Sequence, residues 1–160
     1  MDAAPSLTVV LSRLRVLGVE LPPGPVRLDG YGDSEGLSKE LLALIRQGRK
    51  RAGTTLLWAL EVENEPLPHV GDIEVVLDHC NEPALATRIV QVSVLPYCEV
   101  TSEYAAIEGE GDGSLEHWRE AHWAFFSREC KRIGRGPAES MPVVCSVFEL
   151  LNVLPSPPAA

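Results

Sequence analysis

Long apolar runs, metal-binding motifs and an excess of positive charge are all missing from this sequence of 160 residues. Its apolar runs extend over only a few residues, so we expect no membrane-spanning segment and no membrane partner. The apolar N-terminal stretch contains Arg13 and Arg15 and follows no basic leader, so no signal peptide is expected. The four cysteines lack CxxC spacing, which predicts buried thiols in a reducing, cytoplasmic compartment rather than a zinc site.

The net charge of −9 is unevenly distributed along the chain, and its sign argues against non-specific binding to nucleic acid. Between Ala52 and Trp118 there are 13 acidic residues and one basic residue. Eight of the 14 cations form two clusters: Arg46, Arg49, Lys50 and Arg51, and Arg128, Lys131, Arg132 and Arg135. If the fold joins these clusters they form a local anion site; otherwise they are solvated helix ends. The sequence carries no signal specific for DNA.

The spacing of apolar residues predicts helices over 6–18, 34–47 and 114–133, and strands over 54–62, 73–77, 84–95 and 142–153. We expect an N-terminal helix with a proline-rich connector over 1–28, one domain over 29–153, and a disordered tail over 154–160. Because the strands follow one another with few helices between them, the predicted class is α+β with an antiparallel or mixed, closed sheet.

Two polar residues, His122 and Glu129, fall within the apolar face of the predicted helix over 114–133. A helix that packs only against a core does not place such residues there without hydrogen-bonding partners. They therefore either make hydrogen bonds inside the core or line a polar cleft, and the sequence leaves both alternatives open.

Five ordered segments of the sequence carry a resemblance to a known family. They are the G-x-K loop and strand over 48–58, the PxVGD segment over 68–72, the EGEGD segment over 108–112, and the segments over 123–130 and 141–145. Together they resemble the ASCH domain family, in the superfamily of PUA-like domains, over residues 32–150. The resemblance implies a small barrel of about five to six strands, mostly antiparallel or mixed, flanked by helices and with a cleft for RNA or a nucleoside.

The resemblance also implies catalytic roles for three residues. The loop lysine corresponds to Lys50, the acidic residue of the amidohydrolase members to Glu108, and the serine of the ribonuclease-like members to Ser127. The family loop commonly reads G-x-K-T-x-T, and its second threonine acts in the amidohydrolases, whereas this chain has Gly53 there. A one-residue slip to Thr54 would turn the side chain to the other face of the strand, which argues against amide hydrolysis.

RNA cleavage by attack of the 2′-hydroxyl needs a base, an acid and positive charge at the phosphorane oxygens. In the predicted site Lys50 supplies this charge, while Glu108 or His122 moves protons. The expected substrate-binding residues are Arg49, Arg51, Thr54, Thr55, Glu110, His122 and Arg128. The three tryptophans either offer a stacking surface for an unpaired base or fill the core.

The sequence therefore predicts an RNA- or nucleotide-binding protein with a basic and polar cleft around Lys50, and its first interpretation is a weak ribonuclease acting on single-stranded RNA. A non-catalytic module that binds RNA or a small ligand is the alternative. A second alternative is an amidohydrolase of an acylated nucleoside such as N4-acetylcytidine, disfavoured by Gly53. No motif requires a cofactor or metal ligand, a divalent metal stays open, and the oligomeric state is undetermined.

Overall fold

A computed structural model describes residues 3–155, which form five α-helices and five β-strands. In chain order the elements are α1 (Leu7–Val16), β1 (Val26–Gly30), α2 (Glu35–Arg46), β2 (Ala52–Leu56), α3 (Leu57–Val62), β3 (Ile73–Leu77), β4 (Pro83–Pro96), α4 (Ser102–Glu108), α5 (Leu115–Arg132) and β5 (Pro142–Val153). Of the tail expected over 154–160, residues 156–160 lie outside the described residues. No helix in the described range is long and apolar enough to cross a membrane.

The strands form one mixed sheet in the order β1-β3-β4-β5-β2, curled into a half-barrel. β1 pairs in parallel with β3, and the other pairs are antiparallel. The long β4–β5 pair contains two shifts of register, and such irregularities bend and twist a sheet. The predicted α+β class is confirmed. Among the described strands β1 and β2 form the two edges, so the sheet is open where a closed one was expected.

The helices that were predicted begin where side-chain caps place them. The hydroxyl oxygens of Ser6, Ser34 and Ser114 accept hydrogen bonds from backbone N–H groups in the first turns of α1, α2 and α5. The strand predicted over 54–62 is wrong in its second half, because β2 ends at Leu56 and the following LWALEV segment forms α3. That segment contains leucine, alanine and glutamate, which favour a helix once the strand has ended.

The hydrophobic core lies on both faces of the sheet. On one face α1 packs against β3 through Val10 and Leu14, which cluster with Val75 and Leu77. α5 contributes Trp118, Phe126 and Cys130 to a second cluster, which is completed by residues of β2, β5 and the segment between β4 and α4. Two cysteines are buried as expected, but Cys80 lies in an exposed turn and Cys98 is exposed in a short 3-10 helix, so the expectation of four buried thiols is wrong for them.

Candidate functional site

A cavity of about 580 Å³ lies between the two edges of the half-barrel. Its walls come from β1, β2, α2, α3 and α5, and the C-terminal end of α4 contributes Glu108. This volume is in the range of sites that bind small molecules and cofactors. The open edges of the sheet therefore border a compartment for a small ligand.

Lys50 lies buried in this cavity with only 1% of its surface exposed. Its Nζ donates hydrogen bonds to the Ala52 carbonyl oxygen at 2.6 Å and to Glu110 Oε1 at 2.9 Å. The same atom lies 3.6 Å from Glu108 Oε1 and 5.1 Å from the centre of the Tyr31 ring, which is close enough for a cation–π contact. The ammonium group of Lys50 therefore already has hydrogen-bond acceptors and a carboxylate partner within the protein.

Glu108 is the acceptor at the centre of the cluster, and it too is 1% exposed. Its carboxylate accepts hydrogen bonds from Thr54 Oγ1 at 2.9 Å, from His122 Nε2 at 3.1 Å and from Trp118 Nε1. Burial raises the pKa of Glu108, but the charges of Lys50 and His122 and these hydrogen bonds outweigh it and lower the pKa to about 2. Glu108 is therefore ionised at neutral pH.

Both ring nitrogens of His122 face acceptors. Nδ1 lies 2.8 Å from the Trp118 carbonyl oxygen, and Nε2 lies 3.1 Å from Glu108 Oε1. Burial lowers the pKa of His122, but the hydrogen bond and charge of Glu108 outweigh it, so the pKa is raised above its ordinary value. This arrangement favours the imidazolium form, which donates from both nitrogens. The sequence left open whether His122 makes hydrogen bonds inside the core or lines a polar cleft. It does both, because its ring is hydrogen-bonded in the core and also lines the cavity.

Two loops bring these side chains together through backbone contacts. The loop after α2 carries Lys50, and the Arg51 N–H donates to the Ile107 carbonyl oxygen near the end of α4 at 2.9 Å. Gly109 ends α4 in the left-handed region, with φ of 67°. A Cβ atom at Gly109 would lie 2.0 Å from the Arg49 carbonyl oxygen, so only glycine fits this close approach. In the sequence, the glycines of the EGEGD segment are the features that indicate this close approach of the two loops.

The structure brings together only part of the predicted site. Five residues share the buried cluster: Lys50, Thr54, Glu108, Glu110 and His122. Thr55 and Arg128 also line the cavity, but both are exposed, and Arg128 pairs with Asp33 at 2.8 Å. Among the described residues that line the cavity, Arg49, Arg51 and Ser127 are absent. The two basic clusters therefore do not merge into one anion site.

Thr54 and Gly53 lie where the family loop has its second threonine. The one-residue slip to Thr54 was expected to turn the side chain to the other face of the strand, which argued against amide hydrolysis, but the Thr54 hydroxyl donates to Glu108. The Tyr104 hydroxyl lies 3.0 Å from Thr54 Oγ1 and donates to the Gly53 carbonyl oxygen at 2.8 Å. A Cβ atom at Gly53 would lie 3.0 Å from the Tyr31 ring. Tyr31 thus fills the space that a side chain at position 53 would need.

Among the cavity residues that sequence reasoning missed are three polar ones that lie together, Asp29, Tyr31 and Glu74. Asp29 and Tyr31 belong to β1 and the residue after it, and β1 was not predicted. Glu74 was the available signal, since it is the one charged residue in the buried strand IEVVL. The aromatic walls are Tyr31 and Phe125, while the tryptophans are absent from the described lining and pack against the core.

The candidate metal ligands of the cavity are Glu108, Glu110 and His122, whose donor atoms lie within 4.8 Å of one another. Lys50 Nζ occupies the position between the two carboxylates, at 2.9 Å and 3.6 Å. Because His122 also donates towards Glu108, these residues satisfy one another around an ammonium ion. They do not fit a divalent metal.

The cavity is acidic. Nine carboxylate residues line it, against three lysine or arginine residues. All three cations have acidic partners: Lys50 in the buried cluster, Arg128 with Asp33, and Arg27 at 4.0 Å from Glu74. The basic and polar cleft that was predicted around Lys50 is therefore polar but carries an excess of negative charge.

The sequence model of the ASCH domain matches residues 29–152. The chain is 32% identical to an ASCH domain from Lactobacillus crispatus JV V101, with a TM-score of 0.78 over 89% of this chain and 92% of that one. A protein from Enterococcus faecalis V583 is 27% identical, with a TM-score of 0.76 over 92% and 88% of the two chains. No curated protein matches the chain. The chain belongs to the ASCH domain family, whose members are generally thought to bind RNA.

Proposed function

We propose that the cavity binds a single uncharged nucleobase, presented by an unpaired nucleotide or by a free nucleoside. The observation that carries this proposal is the charge of the lining, where nine acidic residues outnumber three cations and two of these cations, Lys50 and Arg128, already form close ion pairs. A phosphodiester backbone is a dense polyanion and needs unpaired lysine or arginine side chains. A base and its ribose carry no charge, so the acidic walls do not repel them.

The walls also suit the faces and edges of a base. Tyr31 and Phe125 offer aromatic surfaces, on which any base can stack. Carboxylates accept hydrogen bonds from exocyclic amino groups, such as that of cytosine. Membership of a family that is generally thought to bind RNA favours a nucleobase over other neutral ligands of this size.

Calorimetric titration with cytidine and with cytidine 5′-monophosphate tests this proposal. We expect the nucleoside to bind more tightly than the monophosphate, with little dependence on salt. Glu65→Lys, at an exposed carboxylate of the lining, should strengthen binding of the monophosphate relative to cytidine. Glu20→Lys makes the same charge change outside the lining and should leave the ratio unchanged. Tighter binding of the monophosphate by the unaltered protein, with a steep salt dependence, would contradict the proposal.

The arrangement of Lys50, Glu108 and Ser127 supports RNA cleavage less well than the resemblance to the ribonuclease-like family members suggested. The Lys50 ammonium already has protein acceptors, and Ser127 is not among the described residues that line the cavity. With a pKa of about 2, Glu108 is ionised at neutral pH and does not act as the acid. A ribonuclease in this cavity would therefore have to free Lys50 from its partners before it contacted a phosphate.

Thr54 favours amide hydrolysis of an acylated base as the second candidate function. A hydroxyl, a carboxylate and an ammonium meet here, since Thr54 donates to Glu108 and Lys50 lies 3.6 Å from the same carboxylate. The Thr54 oxygen would attack the amide carbonyl carbon while its proton passes to Glu108, and Lys50 would stabilise the oxyanion once it is released from Ala52 or Glu110. The amine then leaves with that proton, and water hydrolyses the threonyl ester to the free acid. Because the pKa of Glu108 is about 2, it is a weak base, and we expect slow turnover.

Release of acetate from N4-acetylcytidine distinguishes this second candidate from simple binding. We expect Thr54→Val to lower the rate by about 100-fold or more. Thr8→Val makes the same change on the exposed side of α1 and should keep the rate of the unaltered protein. Equal rates for the two variants, or no release at all, would contradict amide hydrolysis. Labelled single-stranded RNA incubated with the same samples reports the ribonuclease alternative.

A further inference from the structure

A second polar group of the cavity lies on β1 and β3, and neither candidate reaction uses it. Glu74 is the second residue of β3 and is 5% exposed, between the fully buried Ile73 and Val75. In the register of the sheet its neighbours are Arg27 on β1 and Thr87 on β4. The hydroxyl oxygen of Thr87 is buried and has no hydrogen-bond partner among the described residues.

Negative charge surrounds the Glu74 carboxyl group. Asp29 follows Arg27 by two residues on the same face of β1, and Asp72 precedes Glu74 by two residues, immediately before β3 begins. Arg27 is the one described cation that pairs with Glu74, and its Nε lies 4.0 Å from Glu74 Oε2. The Tyr31 hydroxyl completes the titratable groups around this carboxyl.

Glu74 is buried and Asp29 half-buried, and two neighbouring carboxyl groups in such a setting do not both ionise at neutral pH. Burial raises the pKa of Glu74 to about 9, and the charge and hydrogen bond of Asp29 add to this rise. A protonated carboxyl group differs from a carboxylate in one respect that matters here, since it donates a hydrogen bond through its O–H.

We propose that Glu74 binds the ligand as a neutral carboxylic acid, donating a hydrogen bond to an unprotonated ring nitrogen or carbonyl oxygen of the base, while a carboxyl oxygen of Asp29 accepts one from an adjacent N–H group. This inference rests on the proposed function, because it takes the occupant of the cavity to be a nucleobase. It makes Glu74 a residue that determines specificity. Bases with an adjacent acceptor and donor on one edge fit the pair.

The dependence of cytidine binding on pH tests this inference, since cytidine does not titrate between pH 6 and pH 10. We expect the dissociation constant to be constant up to about pH 8 and then to rise by about tenfold towards pH 10, as Glu74 ionises. Glu74→Gln retains both a donor and an acceptor, so it should bind cytidine within about threefold of the unaltered protein and lose the alkaline rise. Asp29→Asn removes the neighbouring charge and should move the rise to lower pH.

The ¹³C chemical shift of the Glu74 carboxyl carbon gives a second measurement, made on the free protein without a ligand. A titration midpoint well above 7 is expected, and a midpoint below 6 would overturn the inference. A flat profile for the unaltered protein, or an alkaline rise that persists in Glu74→Gln, would also overturn it while cytidine binding and the proposed function stand. If none of the three proteins binds cytidine, the proposed function fails and this inference fails with it.

Discussion

Replacing Lys50 with methionine tests whether the buried ammonium holds the site together. The substitution keeps most of the length of the side chain but removes the positive charge that lies 2.9 Å from Glu110 and 3.6 Å from Glu108. Breaking a buried ion pair by removing one partner leaves a buried charge uncompensated, which costs about 3–5 kcal/mol. We therefore expect Lys50→Met to lower the free energy of unfolding at pH 7 by about that amount.

A double-mutant cycle in urea separates this electrostatic effect from a loss of packing. Glu108→Gln removes the charge of the central acceptor, so the double variant Lys50→Met/Glu108→Gln should be more stable than the sum of the single changes predicts, by at least about 1 kcal/mol. A loss below about 1 kcal/mol for Lys50→Met, or strict additivity in the double variant, would refute the reasoning. Lys50→Arg serves as the charge-retaining control.

The pH dependence of the unaltered protein provides an independent check on this cluster. The folded-state pKa of Glu108 is lowered from 4.5 to about 2, so its contribution to stability is present above pH 4.5 and is lost as the pH falls towards 2. The pKa of His122 is raised, so its contribution is complete below about pH 6.5 and is lost as the pH rises through the folded-state value. In Lys50→Met the penalty should shrink in acid, because Glu108 can then be protonated.

Two further variants test separate features of the fold. The folded-state pKa of Glu74 is raised from 4.5 to about 9, so its ionisation in the unfolded chain destabilises the folded protein as the pH rises above 4.5. Glu74→Gln should therefore raise the free energy of unfolding in urea by up to about 3 kcal/mol at pH 7, but by little at pH 4. No gain in stability at pH 7 would contradict this. Gly109→Ala should lower thermal stability far more than Gly134→Ala, because both glycines have positive φ but only Gly109 lies against a backbone carbonyl, that of Arg49. Equal losses, near the roughly 1 kcal/mol expected from the left-handed backbone alone, would show that the close approach does not matter.

Local signals in the sequence predict much of the fold. Serine caps and helical periodicity locate α1, α2 and α5, and β-branched residues locate most of the sheet. The segment over 57–62 was misassigned because a short apolar run fits a buried strand and a buried helix equally well. β1 has only five residues and follows prolines, and its parallel pairing with β3 brings together residues about 47 positions apart, which no local pattern encodes.

Some residues of the candidate site could be predicted from the sequence, and others depend on the fold. The resemblance identified Lys50 and Glu108, and the structure places them in contact, whereas Asp29 and Tyr31 lie on a strand that was not predicted. The orientation of Thr54 depends on how β2 meets α4 at the edge of the sheet, so alternation along the strand was not enough to predict it. The charge of the cavity depends on which carboxylates the fold collects, and a net charge cannot reveal this.

The core shared by α1 and β3 affects how the chain can be shortened. The family match over 29–152 begins inside β1 and excludes Val10, Leu14 and Leu154, which pack against Val75 and Leu77. A protein trimmed to that match would leave β3 as a bare sheet edge with the sequence IEVVL. Charged residues normally protect such edges from pairing with another molecule, and Glu74 is the one charged residue of β3. Trimmed versions should therefore aggregate through β3 more readily than the full chain.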